Sequence, residues 1–435
     1  MKGSFGIRRR SAWLTAAAGA AAVALVASVV ANAEDPAGRD RDEAHQLVGT
    51  WSASPQLAGT FPVPDGTGFA DQTIRNIAHT SVGGNGLRVR LSNTFGTSPL
   101  TFGAVSVGVQ ASGAALRAGS KRDVMFGGQK SVTVAPGAEA LSDTVRMDVD
   151  ANENLAISLF VPGSTGVPTL HLTAEQTNYI STPGDFTDSD ASTAFTTTST
   201  SWYFLDGLDV VSPGVQGSIV AFGDSITDGL FGTIDANHRW PNFLSQRIND
   251  NHDIGRLSVV DEGISGNRIL NDSICFGVNA QQRLDRDVLS QDGVRFVILL
   301  EGINDIGFSA TPTVGPFGAC AVPNTDVSAQ QIIAGYQQII AQTHAKGIPI
   351  FGGTLTPFKG AGYYTTAGEA KRAAVNNFIR SSGQFDGVID FDAATRDPAD
   401  PLMLRPDFDS GDHLHPNDAG YQAMANAVDL RLFRR

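Results

Sequence analysis

A serine hydroxyl becomes a nucleophile when a histidine can take its proton and a carboxylate holds that histidine in the right tautomer. The chain carries all three groups, Ser225 within Gly223-Asp224-Ser225, and Asp412 three residues ahead of His415 in Asp412-His413-Leu414-His415-Pro416. Attack on a carbonyl carbon also creates an oxyanion, which needs N–H donors around it. Gly266, in Gly263-Ile264-Ser265-Gly266-Asn267, lets the backbone approach closely enough to donate, and Asn304, in Gly302-Ile303-Asn304-Asp305, adds an uncharged side-chain donor. With the Ser225 N–H these make three donors, and the chemistry they suit is acyl transfer through an acyl-enzyme. Each residue alone has a plainer use: Ser225 or Asp224 as a helix N-cap, Gly266 as a turn glycine, Asn304 as a turn or cap residue. His413, Asp407 and Asp409 are decoys in the last loop. Asp412 and His415 are two metal-ligand types with no His or Cys cluster elsewhere to complete a site, so neither a metal nor another cofactor is expected. There is no Gly-x-Ser-x-Gly elbow, which disfavours the α/β-hydrolase fold.

Placement along the chain separates these uses. From Gly217 onward apolar runs at Ser218–Phe222, Leu257–Asp261, Phe296–Leu300, Ile348–Gly352 and Val388–Phe391 predict strands. They alternate with predicted helices at Trp240–Asn249, Asn279–Leu289, Ser328–Ala345, Thr366–Arg380 and Asn417–Phe433. This pattern predicts a three-layer α/β/α, flavodoxin-like domain with a parallel five-stranded sheet over residues 214–435. In such sheets ligands bind beyond the carboxyl ends of the strands. Ser225, Gly266 and Asn304 follow the first three strands, and Asp412 and His415 precede the final helix, so all five residues are expected at one end of the sheet.

Residues 45–213 read differently. Period-two stretches such as Leu87-Arg88-Val89-Arg90-Leu91 and Leu155–Val161, separated by Gly, Pro and Asn turns, predict an all-β sandwich or jelly-roll domain. The Ser/Thr/Asp-rich run Thr187–Ser201 reads as a loop. Residues 1–33 have the form of a signal peptide: Lys2, Arg8, Arg9 and Arg10, an apolar stretch from Ala12 to Val30, then Ala31-Asn32-Ala33. Cleavage after Ala33 and secretion are expected, with an uncleaved membrane anchor as the alternative.

Composition excludes other classes. The chain has 41% hydrophobic and 17% charged residues with 48 Gly and 20 Pro, which fits a globular, loop-rich protein. Its 31 basic and 44 acidic residues give −13, and loss of the four basic residues of the signal leaves 27 against 44, or −17. That sign argues against nucleic acid as a partner. No stable membrane partner is expected once the signal is removed.

Taken together, the four blocks resemble the SGNH, or GDSL-type, hydrolase family, which is named for Ser, Gly, Asn and His in this order. The resemblance runs from Ser218 to Phe433 and implies Ser225, Asp412 and His415 as the catalytic triad and Ser225, Gly266 and Asn304 as the oxyanion hole. The longer string Gly223–Gly229 with Arg239-Trp240-Pro241 is similar to a subgroup of secreted bacterial arylesterases and acylhydrolases. Its members carry a β-rich N-terminal region, and Trp51-Ser52-Ala53-Ser54-Pro55 and Arg88–Asn93 resemble theirs. The resemblance implies an esterase acting on a short acyl ester such as acetyl, either on a small molecule or on a plant polysaccharide. A lipase or thioesterase of the same family, and a non-catalytic polysaccharide-binding surface protein, are the alternatives. Cys275 and Cys320 follow the second and third blocks, and export permits their oxidation, so a disulfide bracing the loops at the cleft is expected.

Overall fold

Strands that are apolar on both faces must be covered on both, which helices on each side of a parallel sheet provide. The computed structural model describes residues 47–58, 68–251, 253–311 and 318–434; the expected signal peptide lies outside them. Among the described residues, Val215–Gly223, Arg256–Gly263, Val294–Leu300, Ile350–Gly353 and Gly387–Ile389 form a five-stranded sheet, parallel throughout. Its spatial order is second, first, third, fourth, fifth. The order therefore reverses between the first and third strands, and chains leaving their carboxyl ends diverge to open a crevice. Helices Trp240–Asn249, Ala329–Ala345, Thr366–Ser381 and Asp418–Ala427 cover the sheet, sharing one core with Ile219, Phe222, Val297, Ile298, Ile350 and Phe351. The helix at 329–345 starts where predicted because Ser328 and Gln331 form a reciprocal capping box.

Some boundaries differ from expectation. The helix predicted over Asn417–Phe433 ends at Ala427, where Val428 turns extended and Asp429 caps a separate short turn, Leu430–Phe433. The one predicted over Asn279–Leu289 is α-helical only to Leu284 and closes in a wide turn, Asp285–Leu289, with Ser290 N bonded to Asp285 O. Thr187–Ser201 is not all loop: Phe195–Ser199 pairs with Asn178–Pro183. Its threonines are polar enough to resemble a loop, yet their β-branching suits the edge of a sheet, and Phe195 is buried.

The preceding region is β-rich. One antiparallel sheet orders strands 47–52, 205–211, 87–92 and 139–141; the other runs through 195–199, 178–183, 72–79, 154–161 and 104–112. Val89, Leu91, Leu208 and Val210 of the first share a core with Ile74, Val105, Val107, Leu155, Ile157 and Leu159 of the second.

Strand 47–52 and the residues after it also lie against the parallel sheet. Gly49 N bonds Asp292 O at 3.2 Å, Ser52 Oγ reaches Asp261 O at 3.5 Å, and Ser54 Oγ donates to Glu262 Oε2 at 2.5 Å. The fully buried Arg283 then gathers several elements with one guanidinium. It donates to Gly223 O (2.8 Å), Glu262 O (2.8 Å), Asn267 Oδ1 (2.9 Å) and Ser54 Oγ (2.9 Å), pairs with Asp287 at 3.2 Å, and lies 4.2 Å above the Phe222 ring. A planar fork with five donors can serve so many acceptors, whereas an ammonium cannot.

Removing such a cation leaves buried acceptors without donors. Arg283→Met is expected to lower the unfolding free energy by about 3–5 kcal/mol in urea titration. A loss below about 1 kcal/mol would show the fork to be dispensable.

The burial of acids makes stability depend on pH. Burial pushes Asp209, Asp224 and Asp261 up to about 7 and Glu262 to about 8. Between about pH 4 and 8 the folded protein thus holds protons that the unfolded chain has released, so stability falls as pH rises through that window. His171 is also raised, against burial, by Asp228, which acts in the same direction; His79, lowered by burial, opposes it. Asp287 and Asp412 are depressed, and their contribution is lost only as pH falls below the ordinary carboxylate range. The urea midpoint is expected to be higher at pH 5.5 than at pH 8.5, and the reverse order would contradict this assignment.

Candidate active site

The first parallel strand ends in Gly223, where a side chain would meet Leu300 O at 2.2 Å and Thr227 Oγ1 at 2.4 Å. Only glycine allows the turn so close to the third strand. Asp224 then caps the one-turn helix Ser225–Asp228 by accepting the Ile226 N–H at 3.0 Å. The capping use foreseen for Asp224 is therefore real, and it serves to place Ser225 at the first helical position, whose backbone N–H has no acceptor inside the helix.

The last loop brings the partner of Ser225. Ser225 Oγ and His415 Nε2 are 2.7 Å apart, and His415 Nδ1 lies 2.6 Å from Asp412 Oδ2. A carboxylate only accepts, so Nδ1 carries the ring proton and Nε2 is left to accept from the serine. Asp412 is fixed in turn: its Oδ1 accepts from Leu414 N at 3.0 Å, His415 N at 2.9 Å and Ser410 Oγ at 3.1 Å. Burial alone would raise this carboxyl. The bonds from His415 and Leu414 outweigh that and hold it well below the usual carboxylate range. The decoys are occupied elsewhere, since His413 Nδ1 donates to Asp409 Oδ2 at 2.5 Å and Arg405 pairs with Asp407 at 2.6 Å.

Gly266 and Asn304 are drawn to the same end of the sheet through bonds between loops. Ile264 N donates to Gly223 O at 3.0 Å, and Asn304 Nδ2 donates to Asn267 O at 3.0 Å. Asp305, buried and pushed up to about 6 by that burial, accepts from Ile269 N and Leu270 N at 2.7 and 3.0 Å. Gly266 has φ +78°, and a Cβ there would stand 2.3 Å from the Phe276 ring. The residue must be glycine for conformation and for space. Cys275, next to Phe276, is bonded to Cys320, so the disulfide joins the loops after the second and third strands. Ser273 Oγ donates to Cys320 O at 2.7 Å, and Arg268 donates to Pro323 O at 2.7 Å across the same seam.

Two residues here escape the reading of the sequence. Tyr363 OH donates to Asn304 Oδ1 at 3.2 Å, which turns the amide so that its NH₂ is the end bound to Asn267 O and directed toward that loop. Its position in the loop after the fourth strand is a signal, but a tyrosine among Phe358 and Tyr364 reads first as core. Phe231 meets the His415 ring edge-on with centroids 5.4 Å apart, holds φ +67°, and remains 53% exposed. A bulky residue in left-handed backbone with an exposed ring beside a catalytic-type imidazole is costly for folding alone, and nothing in its local sequence marks it.

Residues 221–423 match the model of the GDSL-like Lipase/Acylhydrolase family. No curated protein matches the chain. Among solved structures it is similar to Axe2, an acetylxylan esterase from Geobacillus stearothermophilus, at 21% identity over 51% of this chain and 95% of that one, TM-score 0.38. It is also similar to the acetyl xylan esterase AlAXEase, at 20% identity over 48% and 96%, TM-score 0.36. A GDSL-like lipase from Bacteroides thetaiotaomicron VPI-5482 matches at 15% over 49% and 87%, TM-score 0.35. With Ser225, Gly266, Asn304, Asp412 and His415 all inside the matched segment, the chain is a carboxylic ester hydrolase whose parallel-sheet domain matches the GDSL-like lipase/acylhydrolase family.

Proposed function

We propose that the protein is a secreted serine esterase that hydrolyses short-chain carboxylic esters, such as acetyl esters borne on small molecules or plant polysaccharides. The observation that carries this reading is the continuous hydrogen-bonded line from Ser225 Oγ through both nitrogens of His415 to Asp412. Ser225 attacks the ester carbonyl carbon while His415 takes the hydroxyl proton. Asp412, fixed by three other donors, stabilises the imidazolium that results. The Ser225 and Gly266 N–H groups and the Asn304 side-chain NH₂ donate to the carbonyl oxygen and stabilise the negative charge developing on it. His415 then gives its proton to the leaving alcohol, and water repeats the sequence on the acyl-enzyme.

The short acyl group and the polysaccharide rest on the resemblance of the Gly223–Gly229 and Trp51–Pro55 strings to the secreted arylesterase and acylhydrolase subgroup. Export is supported by the pattern of residues 1–33 and by the Cys275–Cys320 bond, a cross-link favoured in oxidising compartments. A longer acyl chain has one observation in its favour. Among the exposed large hydrophobics, Phe231 and Ile234 follow the nucleophile turn, and Ile274 and Val322 flank the disulfide.

The test is hydrolysis of p-nitrophenyl esters from acetate to palmitate by wild type and by Ser225→Ala, on protein whose amino terminus has been sequenced. Activity highest on acetate, lost in the variant by a factor of about 10⁴ or more, with a terminus at Glu34, is the expected result. A preference for palmitate would make it a lipase, and an active Ser225→Ala would remove the serine mechanism. In the same assay Asn304→Ala should lose about 10²–10³ in kcat. Tyr363→Phe, which frees the amide to turn, should lose about 0.5–1.5 kcal/mol, a few-fold to about tenfold in kcat.

A further inference from the structure

We propose that His171, supplied by the β-rich region, is a positioning residue for the oxyanion hole: with Asp228 it fixes Ser265 and, through Ser265, the Gly266 N–H. The inference rests on the serine-esterase reading and extends that site to a residue some 50 positions upstream of the matched family segment.

His171 ends the short strand Thr169–His171 and is buried. Its Nδ1 lies 2.9 Å from Ser54 O, and its Nε2 lies 2.9 Å from Asp228 Oδ1. A carbonyl oxygen only accepts, so Nδ1 must carry hydrogen. The other oxygen of Asp228, Oδ2, receives Ser265 N at 2.9 Å and Ser265 Oγ at 2.6 Å. A backbone N–H only donates, so this oxygen must accept. A neutral imidazole would then face its Nε2 lone pair toward a carboxylate lone pair at 2.9 Å. The contact makes sense only with a proton between them, which makes His171 and Asp228 a buried, charge-assisted pair. The charged groups near the pair include Arg239, whose Nε donates to the Asp228 carbonyl at 2.7 Å, Asp261, 3.9 Å from the same Nε, and the carboxyls of Glu175 and Asp224, which feel the Asp228 charge.

Place in the chain gives the pair its consequence. Asp228 is the last residue of the single helical turn that begins with Ser225, and Ser265 immediately precedes Gly266. The carboxylate therefore spans from the turn bearing the nucleophile to the turn bearing an oxyanion donor. Contact is tight there, since a side chain on Gly263 would meet Asp228 N at 2.3 Å. Without the cation at Oδ1, Asp228 would have less reason to keep Oδ2 aimed at Ser265, and the peptide carrying the Gly266 N–H would lose its anchor. His171 itself is held by β-region neighbours: its ring lies 5.4 Å from that of Trp202, whose Nε1 donates to Ile77 O at 2.7 Å. Transition-state donors tolerate little displacement, and a shift of about 1 Å costs as much as 10²-fold.

The experiment measures kcat and KM on p-nitrophenyl acetate for wild type, His171→Gln, Asp228→Ala, the two combined, and Ser225→Ala as control, each checked by thermal melting. Asp228→Ala removes both carboxylate oxygens in a residue type the helical turn accepts, and it carries the test if His171→Gln fails to fold. The expected result is kcat lower by about 10–100-fold with KM within about threefold, and a double variant no worse than the poorer single one. Near-normal kcat in folded Asp228→Ala, with Ser225→Ala inactive, would overturn the positioning role and leave the esterase reading standing. Losses that multiply in the double variant would also overturn it, because the two residues would then act separately. Activity surviving in Ser225→Ala would strike the esterase reading itself.

Discussion

The guanidinium of Arg283 is the point through which the rest of the architecture passes. It is wholly enclosed, and it donates at once to the ends of the first and second parallel strands, to Asn267 in the oxyanion block and to Ser54 from the β-rich region. A buried cation is tolerable only if its hydrogens are used and its charge is met. Asp287 meets that charge, Phe222 faces it with a ring, and Glu301 lies 3.7 Å away. The acceptors it reaches are the Gly223 and Glu262 carbonyls at the strand ends and the side-chain oxygens of Asn267 and Ser54. The same cation thus ties together three chain segments that diverge at the crevice.

The reactive groups inherit their precision from this arrangement. Ser225 is set by Gly223 and the Asp224 cap, Gly266 by a turn that no other residue could make beside Phe276, and Asn304 by bonds on both ends of its amide. His415 and Asp412 come from a loop that folds largely on itself, with Asp409 pairing to Pro416 and Asn417 capping the closing helix. Each contribution is a short backbone device at the end of a strand or helix. Elements with rigid cores hold such devices more closely than free loops would.

The β-rich region is more than an appendage to this domain. Its first strand lies along the second parallel strand, and its residues from Ala174 to Thr177 grip the segment after the nucleophile. Thr177 N and Oγ1 donate to Asp235 at 2.5 and 2.8 Å, Asp235 N donates to Glu175 O at 3.0 Å, and Arg239 bonds Ala174 O. Asp235 and Asn237 sit in left-handed backbone in that segment, a conformation short polar side chains tolerate. The wall of the crevice beyond Ser225 is therefore built from both parts of the chain. The Trp51–Pro55 string, noticed in the sequence only as a likeness, proves to be the strand and turn that carry Ser54 to Arg283.

Much of this is legible in the sequence. Runs of Val, Ile and Leu bounded by glycine announce parallel strands because both faces must be apolar, and the rule that ligands lie beyond their carboxyl ends placed Ser225, Gly266 and Asn304 together. Helix starts at Ser328 and Asn417 were readable because a cap is local chemistry. The ends were not: the closing helix stops at Ala427 by a backbone turn that the apolar spacing of Leu430 and Phe433 conceals. The sequence assigns His415 to Ser225 and sets His413 aside as a decoy; the physical separation of the two comes from the loop's conformation, which turns His413, at φ +63°, to Asp409 and His415 to Ser225. Tyr363, Arg283, His171 and Asp228 had no role readable in the sequence, since each works through a distant partner: Tyr363 through Asn304, 59 positions away, His171 through Asp228, 57 away, Asp228 through Ser265, 37 away, and Arg283 through Ser54, 229 away. The sequence by itself determined which groups could react and at which strand ends they stand. The tertiary structure alone decided what holds them, because a hydrogen bond or ion pair between distant segments depends on direction and separation in space, and neither is written in the order of residues.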